Sequence, residues 1–299
     1  MTYSIVARDP ETGRFGVAVQ SHYLGVGWVV PWLEAGVGAV ATQASVNVAF
    51  GPIGLELLRA GRSAAEVVAA LVAADDQPQI RQVGVVDAQG RSAAHTGAEC
   101  IPAAGQVVRD GYTVQGNLLH SDSCWPAMAD AYAAALADGQ PFVERLLLAL
   151  EAAEEQGGDV RGRQSAAIMV VDGELHTAAW RGRLLDMRIE DHPDPVPELR
   201  RIVTLSLAYD LLNDEGDAAR AGRSAEDRYA EARRLAPEAY ELVFWRGVEL
   251  AAAGNVEAGR AELQIAFAAD ARWRATLQHL ADARREGVTP ELAAELFGE

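Results

Sequence analysis

Strand-like runs in the first 190 residues come in pairs around turn residues, and this pairing constrains the fold more than any other feature of the chain. Ser4–Arg8 and Phe15–Gln20 flank Asp9-Pro10-Glu11-Thr12-Gly13, a turn with Pro early and Gly last. Phe15, Val17 and Val19 alternate with Gly16, Ala18 and Gln20, the period of a half-buried strand. Val26–Leu33 and Gly38–Gln43 read as strands around Glu34-Ala35-Gly36, and Gln82–Asp87 and Arg91–Thr96 flank Ala88-Gln89-Gly90. Ala166–Val171 and Glu174–Ala179 flank Asp172-Gly173, a two-residue hairpin signal. Leu184–Ile189 adds an edge strand, and Gln115-Gly116-Asn117 closes another.

Helices fall between these pairs. Ser63-Ala64-Ala65-Glu66 is a capping box ahead of Val67, Val68, Leu71 and Val72 at helical spacing. Ser123 opens a helix from Cys124 to about Leu136, and Phe142–Glu154 forms another that Gly157-Gly158 ends. Hairpins with separated helices predict an α+β fold of antiparallel sheets, not a parallel βαβ sheet. No glycine-rich nucleotide loop is present.

The composition changes at Asp191-His192-Pro193-Asp194-Pro195-Val196-Pro197, beyond which strand signals vanish. We therefore expect one domain over 1–197 and an all-helical module over 198–299. Pro237, Gly247, Gly254 and Ala266 fit a helix–turn–helix repeat of about 34 residues and resemble a tetratricopeptide repeat. Val243, Phe244, Trp245 and Phe267 lie in a segment that looks too short to bury them alone, which predicts a homodimer.

Of the 299 residues, 49% are hydrophobic, enough for a substantial core, and the formal charge is −17. Such a surface repels nucleic-acid backbones and anionic membranes, so neither is an expected partner. The two cysteines, Cys100 and Cys124, are too few for a disulfide framework or a zinc site, and no HxH or HExxH spacing occurs. Neither a metal nor another cofactor is expected. No export signal or apolar run of about 20 residues is present, so we expect a cytoplasmic protein with free thiols.

The N-terminus carries the candidate chemistry. Removal of Met1 would give Thr2 a hydroxyl and a free α-amine on one residue, nucleophile and base together. With the first turn centred near Glu11, Ser4 lies opposite about Ala18 and Thr2 opposite Gln20-Ser21. Thr42-Gln43, His95-Thr96 and Gln115-Gly116-Asn117 are further polar clusters at strand ends. Ser4 is an alternative nucleophile.

Thr2-Tyr3-Ser4-Ile5-Val6-Ala7-Arg8-Asp9, Gly16-Val17-Ala18-Val19-Gln20-Ser21, Ala35–Ala44, Ala94-His95-Thr96-Gly97, Gln115-Gly116-Asn117, Gly158–Ala166 and Asp186-Met187-Arg188 with Asp191-His192-Pro193 together resemble the DUF1028 family, placed among the N-terminal nucleophile (Ntn) hydrolases. The resemblance spans residues 2–200. It implies a four-layer α-β-β-α sandwich and hydrolysis of a C–N amide bond, with Thr2 as nucleophile. The backbone around Thr42-Gln43-Ala44, with Asn117, would hold the oxyanion, and His95, Gln20 and Ser21 would position substrate or amine. Some relatives carry a C-terminal module labelled peptidoglycan-binding, and residues 201–299 occupy that place.

Two functions follow. One is an amidohydrolase acting on a small-molecule amide or a peptide, a cell-wall peptide among the candidates. The other is a non-catalytic protein of the same fold whose helical tail mediates partner or self-association.

Overall fold

The computed structural model describes residues 2–213 and 224–298. The chain divides into two compact units, Met1–Arg200 and Arg201–Glu299. It is a mixed α and β protein with antiparallel sheets and a helical C-terminal region.

The first unit holds ten strands. A six-stranded sheet has the order β10 (Arg183–Ile189), β9 (Ser165–Val171), β2 (Phe15–Ser21), β1 (Thr2–Arg8), β8 (Tyr112–Asn117), β7 (Gly105–Arg109). A four-stranded sheet has the order β3 (Pro31–Glu34), β4 (Gly38–Ala44), β5 (Arg81–Asp87), β6 (Ser92–Thr96). One buried cluster joins Val6, Val17, Val19 and Ala167 of the larger sheet to Ala39, Ala41 and Val86 of the smaller. Each strand thus buries alternate residues toward the other sheet.

The remaining faces carry helices. On the smaller sheet, Val40, Val83 and Val85 pack with residues of α1 (Phe50–Arg59) and α2 (Ala64–Ala74), among them Leu55, Leu58, Val67 and Leu71. The Ser63 capping box starts α2 as the sequence predicts. On the larger sheet lie α3 (Cys124–Ala137) and α4 (Phe142–Glu155). Gly16 lets α4 approach: a Cβ there would lie 2.5 Å from a Leu146 methyl.

Two expected elements differ and one strand was not expected. Val26–Leu33 is not one strand: a 3-10 turn at Val26–Trp28 precedes β3, and the Trp28 amide bonds back to the Gly25 carbonyl. Glu174–Ala179 is not a strand; the partner of β9 is Arg183–Ile189, so the connection is far longer than Asp172-Gly173. Strand β7, Gly105–Arg109, carried no clear alternation and was not foreseen.

Helix α5 (Pro195–Asn213) runs across the unit boundary. In the second unit, helices Tyr240–Ala252 and Val256–Ala269 pack closely, with Gly247 and Gly259 at the crossing, where a Cβ on Gly259 would lie 2.6 Å from the Gly247 carbonyl. Val243, Phe244 and Phe267 are buried with Leu263, Leu277 and Leu296 inside this unit. The helices at Arg272–Ala283 and Pro290–Phe297 complete that core, while Trp245 is 39% exposed. Among the described residues no helix is long and apolar enough to cross a membrane.

Candidate functional site

Thr2 opens β1, a strand near the middle of the larger sheet, and lies opposite Asn117 of β8. On its other side β1 pairs with β2 in the register Tyr3↔Gln20, Ser4↔Val19. The expected partner of Ser4, about Ala18, is one residue away from this register, while the expectation for Thr2, Gln20-Ser21, left both residues open. The Asp9 amide bonds the Arg14 carbonyl, so the loop is Pro10–Gly13 and its centre falls after Glu11.

That single step decides which side chain meets Thr2. The Thr2 hydroxyl donates to the Ser21 hydroxyl at 3.1 Å. Gln20 shares a face with Tyr3, the face toward α4, where the Tyr3 phenol donates to Glu154. Burial first, and then the facing Glu154 carboxylate, push the Tyr3 phenol well above its ordinary range.

Between the sheets the Thr2 end is filled by carboxamides and hydroxyls. Gln43 of β4 donates from Nε2 to the Thr2 carbonyl at 3.2 Å and to Gln82 Oε1 at 2.7 Å. Asn117 donates from Nδ2 to the Thr2 carbonyl at 3.4 Å and to the same Gln82 oxygen at 2.8 Å. The links then run head to tail. Thr113 donates to Gln115 Oε1, Gln115 to Ser4 Oγ, Ser4 to Gln43 Oε1 and Gln43 to Gln82 Oε1. Gln82 in turn donates to Thr96 Oγ1, Thr96 to Gln106 Oε1 and Gln106 to the Ala94 carbonyl. Gly84 makes room, since a Cβ there would lie 2.4 Å from Gln115 Oε1.

These groups are sealed: Thr2 is 5% exposed, and Ser4, Ser21, Gln82 and Gln115 are fully buried. Buried amides are tolerable only when their donors and acceptors are matched, as here. The backbone is also unusual at two strand ends. Ala44, just after Gln43, and Leu118, just after Asn117, have φ of 67° and 49°, the left-handed region that disfavours side chains other than glycine. Such conformations gather at sites where geometry matters more than local comfort.

The structure brings together Thr2, Ser4, Ser21, Gln43 and Asn117, and it does not bring in Gln20, Thr42 or His95. Thr42 pairs with Val83 on the face toward α1 and donates its hydroxyl to the Asn47 carbonyl. His95 also pairs with Val83, and its Nε2 lies 2.9 Å from the Pro78 carbonyl. In each case the reason is the two-residue period of a strand: neighbours Gln43 and Thr96 point between the sheets, so Thr42 and His95 point out. Gln20 is buried with neither side-chain atom partnered.

Sequence reasoning missed Gln82, and named Gln115 only within the cluster Gln115-Gly116-Asn117, without a role of its own. A glutamine at each of these positions inside an otherwise apolar strand, as in Gln82-Val83-Gly84-Val85-Val86, was the available signal. Among the described residues no group of three or more His, Cys, Asp or Glu could hold a metal ion. The expected removal of Met1 concerns a residue outside the described ones.

Comparison with known proteins adds the following. The model of a family of unknown function, DUF1028, matches residues 2–199. The crystal structure of protein SPO2555 from Silicibacter pomeroyi, assigned to the same family model, is similar with a TM-score of 0.61 and 30% sequence identity, over 76% of this chain and 97% of that one. No match was found among curated proteins.

Proposed function

The chain belongs to the DUF1028 family, and from that premise we propose that it is an Ntn-type amidohydrolase whose nucleophile is Thr2. On this reading the two packed sheets and their flanking helices are the four-layer sandwich of that superfamily, and the C-terminal helices are a tetratricopeptide-like module. The observation that carries the proposal is the position of the Thr2 hydroxyl: at the first residue of β1, between the sheets, bonded to Ser21.

The chemistry follows from one residue. With Met1 removed, the Thr2 amine accepts the proton of the Thr2 hydroxyl as Oγ1 attacks an amide carbonyl. Ser21 orients the hydroxyl. On this reading the developing oxyanion is held by donors at the ends of β4 and β8, beside Thr2. The leaving amine takes the proton, and water then cleaves the acyl-ester on Thr2. The substrate is a small-molecule amide or a peptide, which enters where β2, β4 and β8 end.

The test is a panel of amide substrates on wild-type protein and Thr2→Ala, with intact mass showing that Met1 is absent. Activity in wild type that Thr2→Ala lacks supports the proposal; a main species retaining Met1 sinks it.

A second reading has its own observation. Thr2 is nearly closed off, and surface hollows of about 310 and 270 Å³ lie instead along α3–α4 and α1–α2. A non-catalytic binding protein would keep the amide core only to lock the sheets together. It predicts equal behaviour of wild type and Thr2→Ala in every assay.

A further inference from the structure

Gln82 is joined to Thr2 through two other side chains, Gln43 and Asn117, each of which it holds by the nitrogen that meets the Thr2 carbonyl. Its Nε2 faces the Gly116 carbonyl at 2.8 Å and the Gly105 carbonyl at 3.2 Å. Backbone carbonyls only accept, so the nitrogen must be on that side. The Gln82 oxygen is thereby turned to the other side, toward Gln43 and Asn117. Each of those amides must then present its nitrogen to Gln82. The same nitrogen is the atom that reaches the Thr2 carbonyl.

The consequence for Thr2 is geometric. The first residue of a strand frays unless something ties it down. Two N–H groups on its carbonyl oxygen fix the peptide plane between Thr2 and Tyr3. With that plane fixed, the bond from the Thr2 hydroxyl to Ser21 restrains the remaining rotation about the Thr2 Cα–C bond, and the two together set the direction of the amine.

We propose that Gln82 is a positioning residue for Thr2: by dictating the orientation of the Gln43 and Asn117 amides, it clamps the Thr2 carbonyl and so aims the nucleophile and its amine. This rests on the hydrolase reading above. Gln82 itself does not touch substrate or the reacting atoms. Positioning of this kind changes the rate of reaction at Thr2 without supplying a chemical group.

The test uses full-length protein with Thr2 as its N-terminal residue, verified by intact mass, as wild type, Gln82→Met and Gln106→Leu. Gln82→Met keeps the unbranched shape and loses every hydrogen bond. Gln106→Leu breaks the same chain of bonds beyond Thr96 but leaves Gln82 on the Gly105 and Gly116 carbonyls. Two signals are read in protein with unchanged circular dichroism. One is the carbonyl ¹³C shift of Thr2. The other is the rate of Thr2 acylation by a β-lactone probe. In that reaction Oγ1 bonds the lactone carbonyl, the ring C–O bond breaks, and the hydroxyl proton ends on the released alkoxide, so the whole probe mass is added.

The expected result is a shifted Thr2 carbonyl and labelling slowed about tenfold or more in Gln82→Met, the scale of one lost buried hydrogen bond, with Gln106→Leu within about twofold of wild type. Equal loss in both variants, or no change in Gln82→Met, overturns the proposal. Wild-type protein that takes no label removes the hydrolase reading itself. The Thr2 carbonyl shift then decides for or against Gln82 as its clamp. Should Gln82→Met not fold, Gln82→Glu keeps the size and an oxygen toward Gln43 and Asn117; it should leave the Thr2 carbonyl shift and the labelling rate within about twofold of wild type, and a shifted carbonyl with slowed labelling overturns the proposal.

Discussion

Ser4 on β1 and Gln43 on β4 belong to different sheets, and the Ser4 hydroxyl donates to Gln43 Oε1 across the gap at 2.6 Å. The same Ser4 oxygen accepts from Gln115 Nε2, also at 2.6 Å. One hydroxyl therefore satisfies two buried amides. Ser4→Ala strands an acceptor on Gln43 and a donor on Gln115, and should cost about 2–6 kcal/mol at roughly 1–3 per orphaned group. Urea unfolding checks this: the midpoint should fall while the slope with denaturant stays the same.

Ala44 holds a left-handed conformation with a side chain that gains nothing from it. Ala44→Gly removes a strain of about 1–2 kcal/mol and adds unfolded-state freedom worth about 0.4–1 kcal/mol. The net should be a slight stabilisation, seen as a melting temperature higher by a few degrees. A lower melting temperature would contradict it.

Asp9 and Arg145 form a buried ion pair at 2.9 Å, with the Thr12 hydroxyl also on the carboxylate. Burial works to raise the Asp9 carboxyl, but Thr12 and Arg145 outweigh it and hold it below its ordinary value. A group depressed in the folded state binds its proton more readily when unfolded. Its stabilisation is thus present above the unfolded value, about pH 4, and is lost as pH falls through the folded one. Melting temperatures from pH 7 to 3 should drop below about pH 4 in wild type. Asp9→Asn leaves Arg145 buried and unpaired. Its curve should start lower at pH 7, by the equivalent of about 3–5 kcal/mol, and fall less steeply in acid.

The sequence contains no lysine. Once Met1 is gone, the Thr2 α-amine is the one primary amine in the chain. An amine-selective acylating reagent should then add a single group, mapped to the Thr2 peptide by mass spectrometry, and activity on an amide substrate should disappear with it. Label on a retained Met1 would count against Thr2 as nucleophile.

The sequence carried the pairs β1–β2, β3–β4 and β5–β6, the Ser63 cap and the polar strand ends, because alternation and turn residues are local signals. It did not carry the side on which each polar residue falls. That depends on register, and register depends on whether the first loop centres on Glu11 or just beyond it. Half a residue there decides between Gln20 and Ser21, both of which the sequence left open beside Thr2, about 20 Å away at 3.3 Å per residue. Thr42 and His95 were misplaced for a related reason: in Thr42-Gln43 and His95-Thr96 both members are polar, so hydrophilicity could not say which one points inward. Gln82 was passed over because it stands before Val83-Gly84-Val85-Val86 and reads as the start of an apolar strand rather than as part of a site.

Every member of the run from Thr113 to Gln106 is an alcohol or a carboxamide, and none gains or loses a proton between about pH 4 and 10. The scaffold around Thr2 is therefore mute to acidity over that whole span. A bell or a step in the pH–rate profile of this protein cannot come from those seven side chains rearranging. It would report a group that does ionise, and the direct way to identify that group is to see whether the profile moves when the N-terminal residue is changed from threonine to serine.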